Sequence, residues 1–425
     1  MRPTTFHEMP TVVQPVGHVE VMFVSTEPGD VSPDRSGTSP DDESGSTEIA
    51  PPTVWPSAID RALVVLLRVT GQMGGPGWLA RLYAVLLYVT VATVSVMSVT
   101  YFMELGVNGM RNGSGILEAA FASYFFGCVQ ALPMLPLTAT VIRGRRRYAA
   151  LLPEVQQLAE ELAREIPRQS IRGKLRKKAA LLLGVAVVIV AIGCVLTLLM
   201  IMVGFGQACA RLSSQCLMGI FLFTTSSIIA ASTFSIPIKF LYITLVVGVG
   251  FGAVDTELQS LARNGDIKDW NRLARLRLLH DRLSGAFSRL VTDMTPELIL
   301  SMTTGVISLV ITFLLGFQTT LTGEWVSNYH SMLYSLLAAG LQIAVPCEAG
   351  QHVLDLATAT RCSLLKLRWE STRVGREVSA LQEAVRRDLD HLGDLGYYRL
   401  QRSTMVAIMS TIVTYIVIFV QFRIS

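Results

Sequence analysis

Residues 403–422 read STMVAIMSTIVTYIVIFVQF, twenty positions without a charge. As a helix, a run of this length crosses the ~30 Å hydrocarbon layer of a bilayer. Its polar residues are not scattered. Thr404, Ala407, Thr411, Thr414, Ile418 and Gln421 recur at steps of 3, 4, 3, 4 and 3 and so share one helical face. Ile, Val, Met and Phe dominate the remaining faces. A helix gains nothing by turning hydroxyls to lipid, so this face meets water, copies of itself, or a polar seam on a neighbouring helix.

Six more uncharged runs precede it, at 82–103, 119–142, 179–203, 217–238, 298–318 and 329–347. The 425 residues are 51% hydrophobic and 16% charged, with mean hydropathy +0.47. A soluble surface needs roughly 25% charged residues, so most of this one faces lipid. The reading is an all-α membrane protein of seven transmembrane helices. Between 217 and 254 Lys239 is the only charge, which predicts one long helix leaving the membrane near Lys239. A net charge of +4 gives no footprint for nucleic acid. Six cysteines are too few for a disulfide scaffold. No apolar core follows Arg2, so no cleaved signal peptide is expected.

The spans' orientation follows from the basic residues of the connections. Segments 143–178, 239–297 and 348–402 hold 28 Lys and Arg, whereas the alternate connections and the end of the chain hold three, Arg111, Arg211 and Arg423. The long connections are therefore expected in the cytoplasm, with the N-terminus cytoplasmic and the C-terminus extracellular. G-protein-coupled receptors run the other way, and neither an Asn-Pro pair in the last span nor an Asp-Arg pair after the third is present.

Residues 1–56, rich in Pro, Ser, Thr, Asp and Glu, read as a disordered cytoplasmic tail. Residues 57–81 begin SAIDRALVVLLRVTGQ, too short to span, and read as an interfacial helix. The seven-span domain is placed at 82–425. Leu273, Leu276, His280, Leu283, Phe287, Leu290 and Met294 alternate at steps of 3 and 4, as do Val374, Val378, Leu381, Val385, Leu389 and Leu392. These seams predict a cytoplasmic helical anchor bundle, with parts at about 239–297 and 348–402, that packs within one chain or holds subunits together.

Few residues suggest chemistry. The His, Cys and carboxylate spacings offer no metal site, cofactor site or catalytic constellation, so no enzyme is expected. His280 sits on a seam and reads as a core histidine. Gly248, Gly250 and Gly252 lie in an apolar helix and read as close packing or a flexible joint. Glu118, Lys239 and Glu348 stand at span edges, where snorkelling accounts for them, and this speaks against a transporter. Cys209 and Cys216 flank a short outer connection and either pair or remain free. Asn112-Gly113-Ser114 is an outer glycosylation sequon. Polar residues in the outer halves of the spans, including Tyr124, Gln318, His330 and Tyr334, either line an outward-open ligand pocket or bond neighbouring helices.

The last span ends Thr414-Tyr415-Ile416-Val417-Ile418-Phe419-Val420-Gln421-Phe422. This resembles the Thr-Tyr, five hydrophobics, Gln-Phe ending of the insect gustatory receptors. Leu278-Leu279-His280-Asp281-Arg282-Leu283 and Gly396-Tyr397-Tyr398-Arg399-Leu400 also resemble that family's segments, without the Cys-Gly-Phe-Phe often found at the latter. The resemblance covers residues 57–425. It implies a taste-receptor channel in the plasma membrane of sensory neurons, ligand-gated and non-selective among cations. It further implies a homo- or hetero-tetramer with related receptors, opened by a small-molecule tastant and embedded in membrane lipid. The pore and gate fall on Thr411, Thr414, Tyr415, Ile418, Gln421 and Phe422. Ile416 stands where sugar receptors of one branch carry Glu, which leans towards bitter compounds or a sugar such as fructose. The alternative is an inverted seven-span receptor signalling through a cytoplasmic partner.

Overall fold

A computed structural model describes residues 58–73, 77–111, 131–166, 171–210, 214–263, 270–322, 325–367 and 372–424. They are helical almost throughout, and among them the one non-helical pairing is an isolated bridge between Asp394 and Arg399. The tail 1–56, the sequon, Glu118 and Tyr124 lie outside the described residues, as do the side chains of Cys209 and Cys216.

The first helix, α1 (Ala58–Val69), is amphipathic: Leu63 and Leu67 are buried while Val65, Arg68 and Val69 are exposed. It stops at Gly71, whose φ of +73° lets the Gln72 amide reach the Leu67 carbonyl at 2.8 Å and the Gly71 amide reach Arg68 at 3.0 Å. This is a Schellman end, which glycine adopts without steric cost. Helix α2 (Trp78–Arg111) turns Leu79, Val85, Leu86 and Val89 outward, as a lipid-facing helix does. Helix α3 (Met134–Ala139) runs through a π-helical turn, Thr140–Gly144, directly into α4 (Arg145–Glu165).

Four long helices form the body: α5 (Ile171–Ala210), α6 (Ser214–Arg263), α7 (Trp270–Thr322) and α8 (Trp325–Leu364). As expected from the single charge between 217 and 254, α6 is one continuous helix. Its 50 residues reach about 75 Å at 1.5 Å per residue, well beyond a bilayer. Phe240, Ile243, Val247, Phe251, Val254 and Leu258 are all completely buried, so α6 is the axis on which α5 and α8 pack. Prolines lie inside α6, α7 and α8 at 237, 296 and 346, each at a span's edge. Helices α9 (Thr372–His391) and α10 (Arg402–Ile424) complete the chain.

The seam residues of α7 pack inside the chain. Leu273, Leu276, Leu283, Phe287, Leu290 and Met294 are at most 3% exposed in a single copy, and Val374, Val378, Leu381 and Val385 of α9 are equally covered. The seams therefore build an intramolecular bundle and do not wait for a second subunit. That bundle also includes α4, whose Leu151, Val155, Leu158 and Leu162 are buried and which packs on α6 and α7. The basic segment 143–178 is thus part of the bundle, beyond the two parts the sequence suggests. At Gly250 an added Cβ would meet Leu283 at 2.5 Å, so the Gly248–Gly252 stretch serves close packing, in a helix that continues unbroken.

Candidate pore helix and its mount

A tight hairpin joins α9 to α10. Gly393 and Gly396 take φ of +77° and +82°, Leu395 donates to the Tyr398 carbonyl at 2.9 Å, and Leu400 donates to the Gly393 carbonyl at 2.8 Å. Leu400 is completely buried against Gly350 of α8, where any side chain would strike its carbonyl. Two residues on, Arg402 grips Glu348 of α8 with its guanidinium, Nε and Nη2 at 2.9 Å from the two carboxylate oxygens. These hydrogen bonds hold the exposed Glu348 below the usual carboxylate range. Glu348 is therefore an ion-pair partner. The Thr404 hydroxyl donates to the Arg399 carbonyl at 2.6 Å and closes the joint.

From this mount α10 rises with one face against α7 and α8. Ile412 is 2% exposed, and Met405, Ile408 and Ile416 pack beside it. The remaining faces are open. Thr411, Thr414, Tyr415, Ile418 and Gln421 are exposed, Thr404 is half-buried, and the Phe422 side chain lies outside the described residues. The Thr411 hydroxyl donates to the Ala407 carbonyl at 2.8 Å and that of Thr414 to Ser410 at 2.9 Å. With their protons turned into the helix, these hydroxyls present oxygen lone pairs outward, the end a hydrated cation accepts.

Of the pocket residues, Gln318 lies on α7 and His330 and Tyr334 on α8, with side chains outside the described residues. Their helices meet at this end of the chain's α7–α8 pair: Gly316 lies against the Met332 side chain.

Lys239 does not snorkel. It is completely buried and ion-paired with the equally buried Glu297 of α7. The Tyr148 ring lies 5.3 Å from its Nζ, and the Tyr148 hydroxyl donates to the Lys239 carbonyl at 3.1 Å. Glu297 presses on Gly144, the last residue of the π-turn, leaving no room for a Cβ there. Beside it Arg147 bonds Asp293 at 2.9 Å. The signal available in the sequence is two lone, opposite charges, each beside a proline at one membrane edge; their partnership is not local. His280 is a core histidine, its ring edge-to-face on Phe251 at 5.2 Å and its Nδ1 3.6 Å from Asp388 of α9. Burial lowers its pKa to about 4 and raises that of Asp388.

A family model described as a 7tm chemosensory receptor matches residues 66–425. The chain belongs to that family. This receptor's fold is similar to that of the insect olfactory receptor OR5 from Machilis hrabei, with TM-score 0.62 at 10% identity, covering 85% of this chain and 97% of that one. Against OR5 in complex with eugenol the values are 0.57 and 12%, over 86% and 97%. At these identities the likeness is one of fold. No curated protein matches the sequence. Over its described residues the receptor is thus the nearly all-helical membrane protein its composition implies.

Proposed function

We propose that this chemosensory receptor is a gustatory receptor acting as a ligand-gated, non-selective cation channel, opened by a bitter compound or a sugar such as fructose. It works without enzymatic chemistry in the plasma membrane of sensory neurons, as a homo- or hetero-tetramer, with α10 of each subunit lining one pore. The observation that carries this reading is the open face of α10. A helix packed on one side only, whose outward threonines have spent their protons on the helix, suits a water-filled axis shared with other copies. A wall of neutral oxygens with no charged ring conducts cations with weak selectivity. Ile418 supplies an apolar ring where the pore can close by dewetting, and Gln421 and Phe422 stand at the mouth. The basic side, with α4, α9 and the Arg402–Glu348 mount, is placed in the cytoplasm on the 28-to-3 asymmetry. The eugenol complex of the similar OR5 supports a small amphipathic ligand, with the pocket placed around Tyr124, Gln318, His330 and Tyr334.

Whole-cell currents in a heterologous cell lacking insect signalling proteins test the reading. Tastant panels should evoke cation currents, and cysteines at Thr411 and Thr414 should react with thiol reagents only while ligand is present. Receptor that reaches the surface, binds ligand and passes no current would favour signalling through a cytoplasmic partner. Replacement of Ile418, Gln421 and Phe422 without change in conductance, leak or gating would remove α10 from the pore.

A further inference from the structure

Residues 172–178 at the start of α5 read RGKLRKK, five cations in seven positions, and no carboxylate occurs between Glu165 and Asp255. Basic residues gather at this edge of spans in general, but most others on this side of the receptor are spent on ion pairs. Arg147 pairs with Asp293, Arg277 with Glu377 and Arg402 with Glu348. The carboxylates of the preceding helix are taken as well: Glu154, Glu161 and Glu165 of α4 meet Arg289, Arg282 and Arg275 of α7. Arg176, Lys177 and Lys178 form no ion pair among the described residues. Their positive charge is left uncompensated.

The direction in which the lysines point follows from the rest of the helix. Ile171, Leu175, Ala179 and Leu182 are buried and turn one face of α5 into the core. On the far side Lys174, Lys177, Leu181, Val185, Val188 and Ile192 recur at steps of 3, 4, 4, 3 and 4, and all six are exposed. Leu181 is 70% exposed, as suits a residue against hydrocarbon. Lys174 and Lys177 therefore continue the lipid-facing stripe, and their stems laid along it bring the amines to the headgroup layer. At 3.6 residues per turn, half-buried Lys178 joins them within about 100° of the helix circumference. Burial lowers the pKa of Lys178, and the charge of Lys174 one turn away lowers it further.

Three crowded amines beside exposed aliphatic residues fit an anion that belongs to the leaflet. A phosphodiester supplies a single charge, whereas a phosphomonoester carries about −1.5 to −2 at pH 7, so two monoesters on one headgroup match the three lysines. We infer that the Lys174, Lys177 and Lys178 face of α5 binds the bisphosphorylated headgroup of a phosphoinositide in the leaflet on the basic side. The acyl chains of that lipid lie along Leu181 and Val185. The inference rests on residues 179–203 being a span, and it requires nothing of the channel reading.

The test measures binding, not current. Full-length receptor in phosphatidylcholine nanodiscs is titrated with phosphatidylinositol bisphosphate, with phosphatidylserine at matched total charge, and with soluble inositol trisphosphate. One bisphosphate lipid per chain is expected, bound about ten-fold more tightly than phosphatidylserine and more tightly than the soluble headgroup. Lys177→Gln should weaken that binding about five-fold, and the Lys174→Gln/Lys177→Gln/Lys178→Gln variant should lose the preference altogether. The single substitution leaves the basic excess of the segment nearly intact, so it covers a triple variant that inserts wrongly. Lys174→Arg/Lys177→Arg/Lys178→Arg, which keeps the charge, should retain the preference. Equal affinity for the two lipids, equal affinity for the soluble headgroup, or a preference that survives the glutamine substitutions would overturn the inference. So would a zero-length cross-link from Lys177 to the acidic residues of 1–56 that persists at saturating lipid, which would give this face to the chain's own N-terminal segment.

Discussion

The buried contact between Lys239 and Glu297 weighs differently from the receptor's exposed ion pairs. Taking each charge out of water costs several kcal/mol, offset only while both partners are present. Removing one partner strands the other and is expected to cost about 3–5 kcal/mol. Lys239→Met and Glu297→Leu should each deplete folded receptor, while the Lys239→Met/Glu297→Leu double variant should lie well above the sum of the singles in a thermal double-mutant cycle. His280 sets a pH dependence. With its pKa near 4 in the folded bundle and about 6.5 when unfolded, the unfolded chain binds the extra proton between those values. Stability is therefore full above pH 6.5 and falls as the pH drops towards 4. At pH 5 the loss is about 2 kcal/mol, at 1.36 kcal/mol per unit. Asp388 from α9 and Asp281 from α7 itself are the carboxylates that face the ring. Asp388, raised by burial, softens the fall by taking up a proton of its own. Thermal unfolding at pH 7.5 and pH 5 should show a smaller drop for His280→Phe, which keeps the edge contact to Phe251.

Among the elements, α7 carries the seam most exposed to a single test. Leu290 is completely buried between elements of one chain, so Leu290→Ala leaves a cavity costing about 2–5 kcal/mol. Blue-native gels should show less receptor at the surface with an unchanged ratio of assembled to unassembled chains. A shift towards free monomer would instead place the seam between subunits. Helix α4 marks where periodicity was present but overshadowed. Leu151, Val155, Leu158 and Leu162 repeat at steps of 4, 3 and 4, yet the neighbouring basic run Arg143–Arg147 makes the segment read as a charged connection. Helix α10 is the converse case. Its striped face is legible because the signal is local to twenty residues, while its mount depends on Gly350, Glu348 and Leu400 meeting across some fifty residues of chain.

For the whole molecule, the basic asymmetry yields a topology test. An epitope after Ser425 should label on unpermeabilised cells and one before Met1 only after permeabilisation; reversed labelling would refute the orientation. The long α6 and the core character of His280 are legible in the sequence because hydrophobic runs and seams are read within one helix. The Lys239–Glu297 pair and the Gln72–Ser232 bond are not, because their partners stand 58 and 160 positions apart and neither residue's neighbours announce the other. That first separation also imposes an order of events during synthesis. At about 5–20 residues per second, a ribosome needs roughly 3–12 s to travel from Lys239 to Glu297. Throughout that interval the lysine lacks its counter-charge, so the snorkelling posture is the one expected of the nascent chain, given up on completion. Closing the pair draws α6 and α7 together at a defined moment, and the half-made receptor is a distinct species whose amine an aqueous reagent can still reach.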